Sequence, residues 1–162
     1  MIDFAYHRSI APMMWVLVVI GCVELVVVHL LVALWRPWIA IALSAASLAG
    51  LLWLIGLIRS FPRLPVQIGD GRLVMRVGRL RGIEIPLAAV AGLRANWDAA
   101  SLKDRSVLNL ALIAYPNIVV DLRGPVSSGE IRGRPVVAVA HRLDDPAAFV
   151  SALEELGRAH DR

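Results

Sequence analysis

The sequence predicts a membrane α-helical hairpin joined to a small α+β domain, and three observations lead to that prediction. The chain of 162 residues is 58% hydrophobic, and its mean hydropathy of +0.68 is high for a soluble domain. Nearly all of the apolar excess lies between Ala11 and Ile58. The residues from Arg59 onward hold 15 of the 17 basic and 11 of the 13 acidic side chains. The two parts of the chain therefore suit different solvents.

Two apolar segments predict two transmembrane helices, at 11–34 and 38–58. Each is long enough to cross about 30 Å of hydrocarbon at roughly 1.5 Å per residue. The first is too long for the apolar part of a cleavable signal peptide, and no convincing small-x-small cleavage site follows it. Between the two segments, Pro37 breaks the helix and two nearby tryptophans are expected at headgroup level. We therefore expect residues 1–60 to form a transmembrane hairpin.

Basic residues near the helix ends predict the orientation of this hairpin, because such residues are retained in the cytoplasm. The turn offers only Arg36, whereas Arg8 precedes the first helix and four arginines follow the second within about twenty residues. Both termini are therefore expected on the cytoplasmic side. The 16 arginines against one lysine indicate GC-rich coding. We expect a multi-pass protein of a bacterial cytoplasmic (inner) membrane.

Polar residues inside the hairpin need an explanation, and Glu24 needs it most. An ionised side chain at a helix centre costs about 2.5 to 3.5 kcal/mol on insertion scales. Counted from the turn, Glu24 and Ser47 lie at similar depth, so we expect a buried hydrogen bond between Ser47 and a neutral Glu24. Five positions separate Glu24 from His29, about 140° around a helix, so these two do not share a narrow stripe. The predicted polar membrane residues are Glu24, His29, Ser44 and Ser47.

Small residues in the second helix predict close helix packing. Ala42, Ala46 and Gly50 recur every four positions, a spacing that lets another helix approach closely. Gly21 of the first helix lies at about the depth of Gly50. Another membrane protein or a second copy of the chain is therefore an expected partner.

The rest of the chain predicts a linker at 61–65, where two prolines stop the second helix, and a domain at 66–162. Short runs, several with alternating apolar residues, predict six or seven strands in a small antiparallel β-barrel or bent sheet. Asp144-Asp145-Pro146 predicts a helix start. A stripe of Phe149, Val150, Leu153 and Leu156 then predicts a C-terminal helix packed on the strands. The predicted strands are 66–68, 72–78, 83–85 leading into 87–94, 107–114, 118–122 and 136–140, with a loop at 124–135.

This domain resembles the pleckstrin-homology-like domain of many bacterial membrane proteins. The segments that carry the resemblance are Gly69-Asp-Gly-Arg-Leu to Ile85-Pro86-Leu87, Pro116-Asn-Ile-Val-Val-Asp-Leu122 and Leu143-Asp-Asp-Pro-Ala-Ala-Phe149. The resemblance covers about residues 64–158, and two membrane helices precede this region, as in several such proteins. It implies a non-catalytic module for binding or assembly. No ligand-binding residue is carried over, because the family has no fixed motif for one that matches here.

A cluster of arginines around the second turn of the domain is the main candidate site. A polybasic patch at an anionic membrane surface contributes about 1 kcal/mol per charge. The alternative is an ordinary solvated strand face. The predicted basic face consists of Arg72, Arg76, Arg79 and Arg81, with Arg123, Arg132 and Arg134 as a second basic point.

Other chemistry has little support in the sequence. The net charge of +4 could suit nucleic acid, but no basic run carries interleaved aromatic residues. Cys22 is the only cysteine, so neither a disulfide nor a cysteine metal site is expected. His141, Asp144 and Asp145 form the only close histidine and carboxylate set, which fits a capped helix better than a metal or catalytic site. We expect no enzyme activity, cofactor, metal or small-molecule substrate.

The expected function is that of a non-catalytic, membrane-anchored interaction module that scaffolds or assembles a membrane complex through its cytoplasmic domain. Membrane lipids are the other expected partner. Two alternatives stay open at this point. One is a small channel or proton-handling subunit that uses Glu24, and the other is binding of anionic lipid headgroups by the basic face.

Overall fold

The structure, a computed structural model, describes residues 1–127 and 135–160. Within these residues the chain forms two long helices near the N-terminus, eight short strands and a C-terminal helix. The elements are β1 (Ile2–Phe4), α1 (Ala11–Trp35), α2 (Pro37–Ser60), β2 (Val66–Gly69), β3 (Arg72–Val77), β4 (Arg81–Pro86), β5 (Val90–Leu93), β6 (Val107–Asn109), β7 (Ile118–Ser127), β8 (Pro135–His141) and α3 (Pro146–His160).

Helices α1 and α2 pair as a hairpin with Arg36 alone between them. The Arg36 N–H donates to the carbonyl of Val32 at 2.8 Å, and Pro37 opens α2 at a position where its missing N–H costs nothing. Both helices are long and apolar enough to cross a membrane, as predicted. Only 6% and 11% of their most apolar windows are buried, whereas the core helix of a soluble protein is mostly buried.

The strands form two sheets of four, with orders β1-β2-β3-β4 and β5-β7-β8-β6. The sheets do not close into a barrel, so the predicted barrel is wrong. In the second sheet the connection after β5 crosses the outer face, where Trp97 and Leu102 pack on Val119. This crossing brings β6 to the far edge, where it pairs parallel to β8, and the second sheet is therefore mixed rather than antiparallel.

The N-terminal residues supply a strand that the sequence analysis did not predict. Strand β1 pairs antiparallel with β2, with Phe4 opposite Val66. The residues before the hairpin are therefore part of the β domain, and the chain enters and leaves the hairpin on the same side.

The main core joins the β domain to the base of the hairpin. Ile10, Met14, Leu57 and Phe61 are buried together with apolar residues of both sheets and of α3. Phe61 is 0% exposed, so the segment predicted as a linker at 61–65 begins as a packed turn. In the C-terminal helix, the predicted stripe residues Phe149 and Leu153 are buried, and Val150 and Leu156 are half-buried.

Candidate functional site

Tyr6 joins the N-terminal segment to the base of the hairpin and the β3–β4 turn. Its ring is fully buried, 6.0 Å from the ring of Phe61 and 5.0 Å from that of His141. Its hydroxyl donates to the carbonyl of Leu64 at 3.2 Å and accepts from the N–H of Gly78 at 2.6 Å. Burial raises the pKa of Tyr6 to about 12, so the hydroxyl stays protonated at neutral pH.

Gly78 lets the β3–β4 turn sit against the end of α2. Its φ is +49°, a left-handed conformation that favours glycine. A Cβ at this position would collide with Ser60 Oγ and lie 2.8 Å from Phe61 Cδ1. The turn therefore places Arg79 and Arg81 beside the point where the chain leaves α2.

A cleft of about 820 Å³ opens next to this turn. Arg79 and Arg81 are exposed, and Leu80 between them is 39% exposed. Arg76 is half-buried, and its Nε is buried with no hydrogen-bond partner among the residues that the structure describes. We call this cleft the basic cleft; its lining residues are Leu64, Val74, Arg76, Gly78, Arg79, Leu80, Arg81, Gly82, Ile83 and Glu84.

Arg72 does not line the cleft, although it belongs to the predicted basic face. Its guanidinium donates to Glu84 at 2.6 Å in an exposed ion pair, and this hydrogen bond raises the pKa of Arg72. Arg123 lies elsewhere, in a groove between β5 and α3. The other members of the second basic point, Arg132 and Arg134, lie outside the described residues.

The polar residues of the hairpin line a second opening, of about 380 Å³, along the contact between α1 and α2. His29 Nδ1 and the Ser44 hydroxyl form a hydrogen bond across this contact. Glu24 and Ser47 are exposed, and the described residues include no hydrogen bond between them. The expected buried bond is therefore wrong, because Glu24 and Ser47 are both exposed along the opening, whereas the half-buried His29 and Ser44 bond to each other. We call this opening the Glu24 groove.

The small residues divide into two groups. Gly21 belongs to the hairpin contact, since a Cβ there would lie 2.9 Å from Leu51 Cδ2. Ala42, Ala46 and Gly50 are exposed, and a Cβ on Gly50 would meet nothing within 4 Å. The small stripe of α2 is therefore not used in the contact with α1.

His141, Asp144 and Asp145 have structural partners. His141 is fully buried; its Nε2–H donates to the carbonyl of Arg76 at 3.0 Å, and its Nδ1 accepts from the N–H of Arg142 at 2.8 Å. Burial lowers the pKa of His141, which favours the neutral ring over the charged one. Asp145 accepts from the N–H of Ala148 at 3.0 Å and caps α3. In the described part of the chain, no group of His, Cys, Asp and Glu residues is arranged to hold a metal ion.

Asp144 and the N-terminal segment bond to each other in both directions. The Asp144 carboxylate accepts from the N–H of Arg8 at 3.0 Å, and the N–H of Asp144 donates to the carbonyl of Ala5 at 2.9 Å. Neither this segment nor Tyr6 or Leu80 was predicted from the sequence. The available signal was the Gly-Arg-Leu-Arg-Gly run at 78–82, which sets an apolar residue between two arginines at the tip of a turn.

Comparisons with known protein families, with curated proteins and with solved structures gave no match to this chain.

Proposed function

We propose that the protein is a non-catalytic, membrane-anchored interaction module whose basic cleft binds anionic lipid headgroups. One observation carries this proposal: the β3–β4 turn packs on the end of α2 through Gly78. In a membrane-spanning hairpin the end of α2 lies at the headgroup level. Arg79, Leu80 and Arg81 therefore face the interface from the cytoplasmic side.

The side chains of the turn suit that position. Arginine guanidinium groups match phosphate geometry, and a basic residue close to an anionic leaflet contributes about 1 kcal/mol. Leu80 can enter the acyl boundary between its two arginine neighbours, while the arginine stems lie along it. The Arg76 guanidinium, which lacks a partner at Nε among the described residues, can direct its terminal nitrogens to a phosphate in the cleft.

The far end of the hairpin supports the same placement. Trp35 and Trp38 are 88% and 67% exposed at the tip, as expected for indoles that lie at the opposite headgroup layer. The proposal accordingly includes two membrane passes, both termini in the cytoplasm and a bacterial inner membrane. A pleckstrin-homology-like fold for the β domain stays part of the proposal, and the antiparallel first sheet with a helix at the C-terminus supports it.

The test uses the full chain, because β1 and Tyr6 belong to the β domain and a fragment beginning at Leu64 would lack both. The protein is purified in a neutral detergent, and native mass spectrometry counts the phosphatidylglycerol and phosphatidylcholine molecules that it retains. We expect preferential retention of phosphatidylglycerol, which falls as salt rises because screening shortens the Debye length to about 8 Å at physiological ionic strength.

The variant Arg76→Gln/Arg79→Gln/Arg81→Gln should lose this preference. Lys103→Gln/Arg105→Gln is the control, since both residues are exposed and neither lines the cleft. An unchanged preference in the triple variant would overturn the proposal. So would tight binding of soluble polyglutamate without any preference for the anionic lipid, which would identify an acidic protein as the ligand.

A channel or proton-handling subunit is the second candidate, favoured by the finding that Glu24, His29, Ser44 and Ser47 all line one groove. Two helices alone do not enclose a path, so this function needs several copies. Replacing the hairpin with an unrelated one separates the candidates. Lipid selectivity should survive the exchange if the β domain carries the function, whereas proton flux into liposomes should disappear if the hairpin carries it.

A further inference from the structure

The Glu24 groove leaves an ionisable side chain uncovered in the middle of a membrane span. Glu24 is the fourteenth of the 25 residues of α1 and is exposed. It lies about 16 Å from the turn at 1.5 Å per residue, close to the centre of a bilayer core about 30 Å thick. Polar groups at that depth face the interior of a bundle rather than lipid. The hairpin alone does not supply such an interior for Glu24.

The two sides of the groove have matching spacing. On α1, Leu17, Gly21, Glu24 and Val28 follow one another at intervals of four, three and four residues. On α2, Leu43, Ser47, Gly50 and Leu54 repeat the same intervals. This spacing is that of a helix face that packs against another helix. Gly21 already packs on Leu51 of α2, but Glu24 and Ser47 stay exposed. The groove therefore leaves room for a further helix, with a carboxyl group and a hydroxyl group at its middle.

We propose that a second copy of this chain occupies the groove, related to the first by a two-fold axis along the membrane normal. Copies inserted in the same orientation place identical residues at identical depth. The Ser47 hydroxyl of each copy then donates to the Glu24 carboxyl of the other, and Gly50 lets the helices approach closely. The two hydrogen bonds cover both exposed carboxyl groups.

Three features favour a second copy over an unrelated helix. The donor that Glu24 lacks is present in the chain itself, at the same depth and on the same groove. Ser47 has no hydrogen bond to another described residue, so its hydroxyl is available. The exposed stripe of Ala42, Ala46 and Gly50 adjoins the groove on α2, which widens the surface that another helix can approach closely. None of these features depends on the basic cleft.

The test counts subunits of the full-length protein in liposomes by single-molecule photobleaching, over a series of protein-to-lipid ratios. Gly50→Leu fills the groove, and Gly56→Leu is the matched control. A Cβ meets nothing within 4 Å at either position, so neither change disturbs the hairpin at that atom. Gly56 lies six positions further along α2, about 120° away from Gly50 and outside the groove. We expect dimers for the parent and for Gly56→Leu, and monomers for Gly50→Leu.

A second pair of variants tests the hydrogen bond. Ser47→Ala removes the donor of both hydrogen bonds in the symmetric dimer. It should weaken dimerisation about three- to tenfold, the effect expected from the loss of two interhelical hydrogen bonds in a membrane. Glu24→Gln keeps an acceptor for Ser47 and should dimerise like the parent. A parent that is monomeric at all ratios, or a Gly50→Leu variant that dimerises as well as Gly56→Leu, would overturn the proposal.

Discussion

The hairpin and the β domain expose opposite kinds of side chain. In the hairpin Leu30 and Trp53 are each 62% exposed, whereas in the β domain Leu73 and Ile85 are 0% exposed. The β domain uses apolar residues to build a core in water. The hairpin uses them as an outer surface, which is stable only where the solvent is also apolar.

Polar groups differ between the two regions in the same way. In the β domain the buried hydroxyl of Tyr6 and the ring of His141 each have two hydrogen-bond partners. In the hairpin Glu24 has none among the described residues. A folded domain satisfies most of its own buried polar groups, although Arg76 Nε and Trp97 Nε1 of the β domain are buried without a partner among the described residues. Glu24 and Arg76 each line an opening, so these two residues are the best indications of surfaces that meet another molecule.

The largest expected effect concerns the border between the regions. Tyr6 precedes the hairpin but belongs to the β domain, and Tyr6→Ala should destabilise that domain by about 3 to 5 kcal/mol through loss of a buried ring. Tyr6→Phe removes only the hydroxyl and should cost about 1 to 3 kcal/mol, because the N–H of Gly78 loses its acceptor. Denaturant titration in detergent micelles measures both. Equal stability of Tyr6→Ala and the parent would show that the N-terminal segment is not part of the domain.

The contact between the β3–β4 turn and α2 is tested by Gly78→Ala. We expect the free energy of unfolding to fall by about 2 to 5 kcal/mol, because alanine is strained in a left-handed backbone and its Cβ would overpack against Phe61. Gly71→Ala is the control, because Gly71 has a φ of +73° but nothing within 4 Å of an added Cβ. The Gly71→Ala variant should lose only the backbone contribution to the free energy of unfolding, about 1 to 2 kcal/mol. Similar losses in the two variants would contradict the packing of the turn on the end of α2.

The apolar surface of the hairpin is tested by a charge that cannot reach an interface. Glu24→Lys should impair insertion or folding, because a lysine at a helix centre itself costs about 2.5 to 3.5 kcal/mol on insertion scales, while Glu24→Gln should insert and fold as the parent does. The measurements are the inserted fraction in a glycosylation assay and stability in detergent. If the lysine variant is as stable as the parent in both membrane and detergent, the middle of α1 does not lie in hydrocarbon.

The smallest expected effect is a pH dependence of the β domain. Burial holds the pKa of His141 below 6.5 in the folded protein, so between that lowered pKa and 6.5 the unfolded chain binds more protons. The free energy of unfolding should therefore be highest above pH 6.5 and fall with decreasing pH, by at most about 1.4 kcal/mol per pH unit.

His141→Gln keeps a donor for the carbonyl of Arg76 and does not titrate, so its stability should be flatter between pH 5 and 7.5. Staying above pH 5 avoids the titration of Asp98, whose pKa is lowered by hydrogen bonds from Ser101. An identical slope in the variant and the parent would assign the pH dependence to other groups.

Local sequence signals predicted the elements that depend on local chemistry. Pro37 fixes the helix break, and Asp145 with Pro146 fixes the start of α3. The turn at Asp70 and Gly71 has a positive φ at both residues, as a two-residue hairpin turn requires. These features need only a few neighbouring residues, so the sequence is sufficient to predict them.

Long-range pairing could not be predicted in the same way. Strand β1 has three residues, and its partner β2 lies more than sixty positions away. Strand β6 pairs parallel to β8 after a connection whose Trp97 and Leu102 pack on the second sheet, a course of the chain that no alternation reveals. Of the predicted basic face, Arg76, Arg79 and Arg81 line the basic cleft, whereas Arg72 pairs with Glu84, a partner set by strand register.

We propose a two-pass hairpin with the β domain on the cytoplasmic side, and cysteine labelling in intact cells tests this proposal most directly. In a Cys22→Ser background, Arg36→Cys places a thiol at the hairpin tip, and Lys103→Cys places one on an exposed turn of the β domain. An impermeant thiol reagent added outside should label the Arg36→Cys protein in intact cells and the Lys103→Cys protein only after lysis. Labelling of Lys103→Cys in intact cells, or protection of Arg36→Cys until lysis, would contradict this topology.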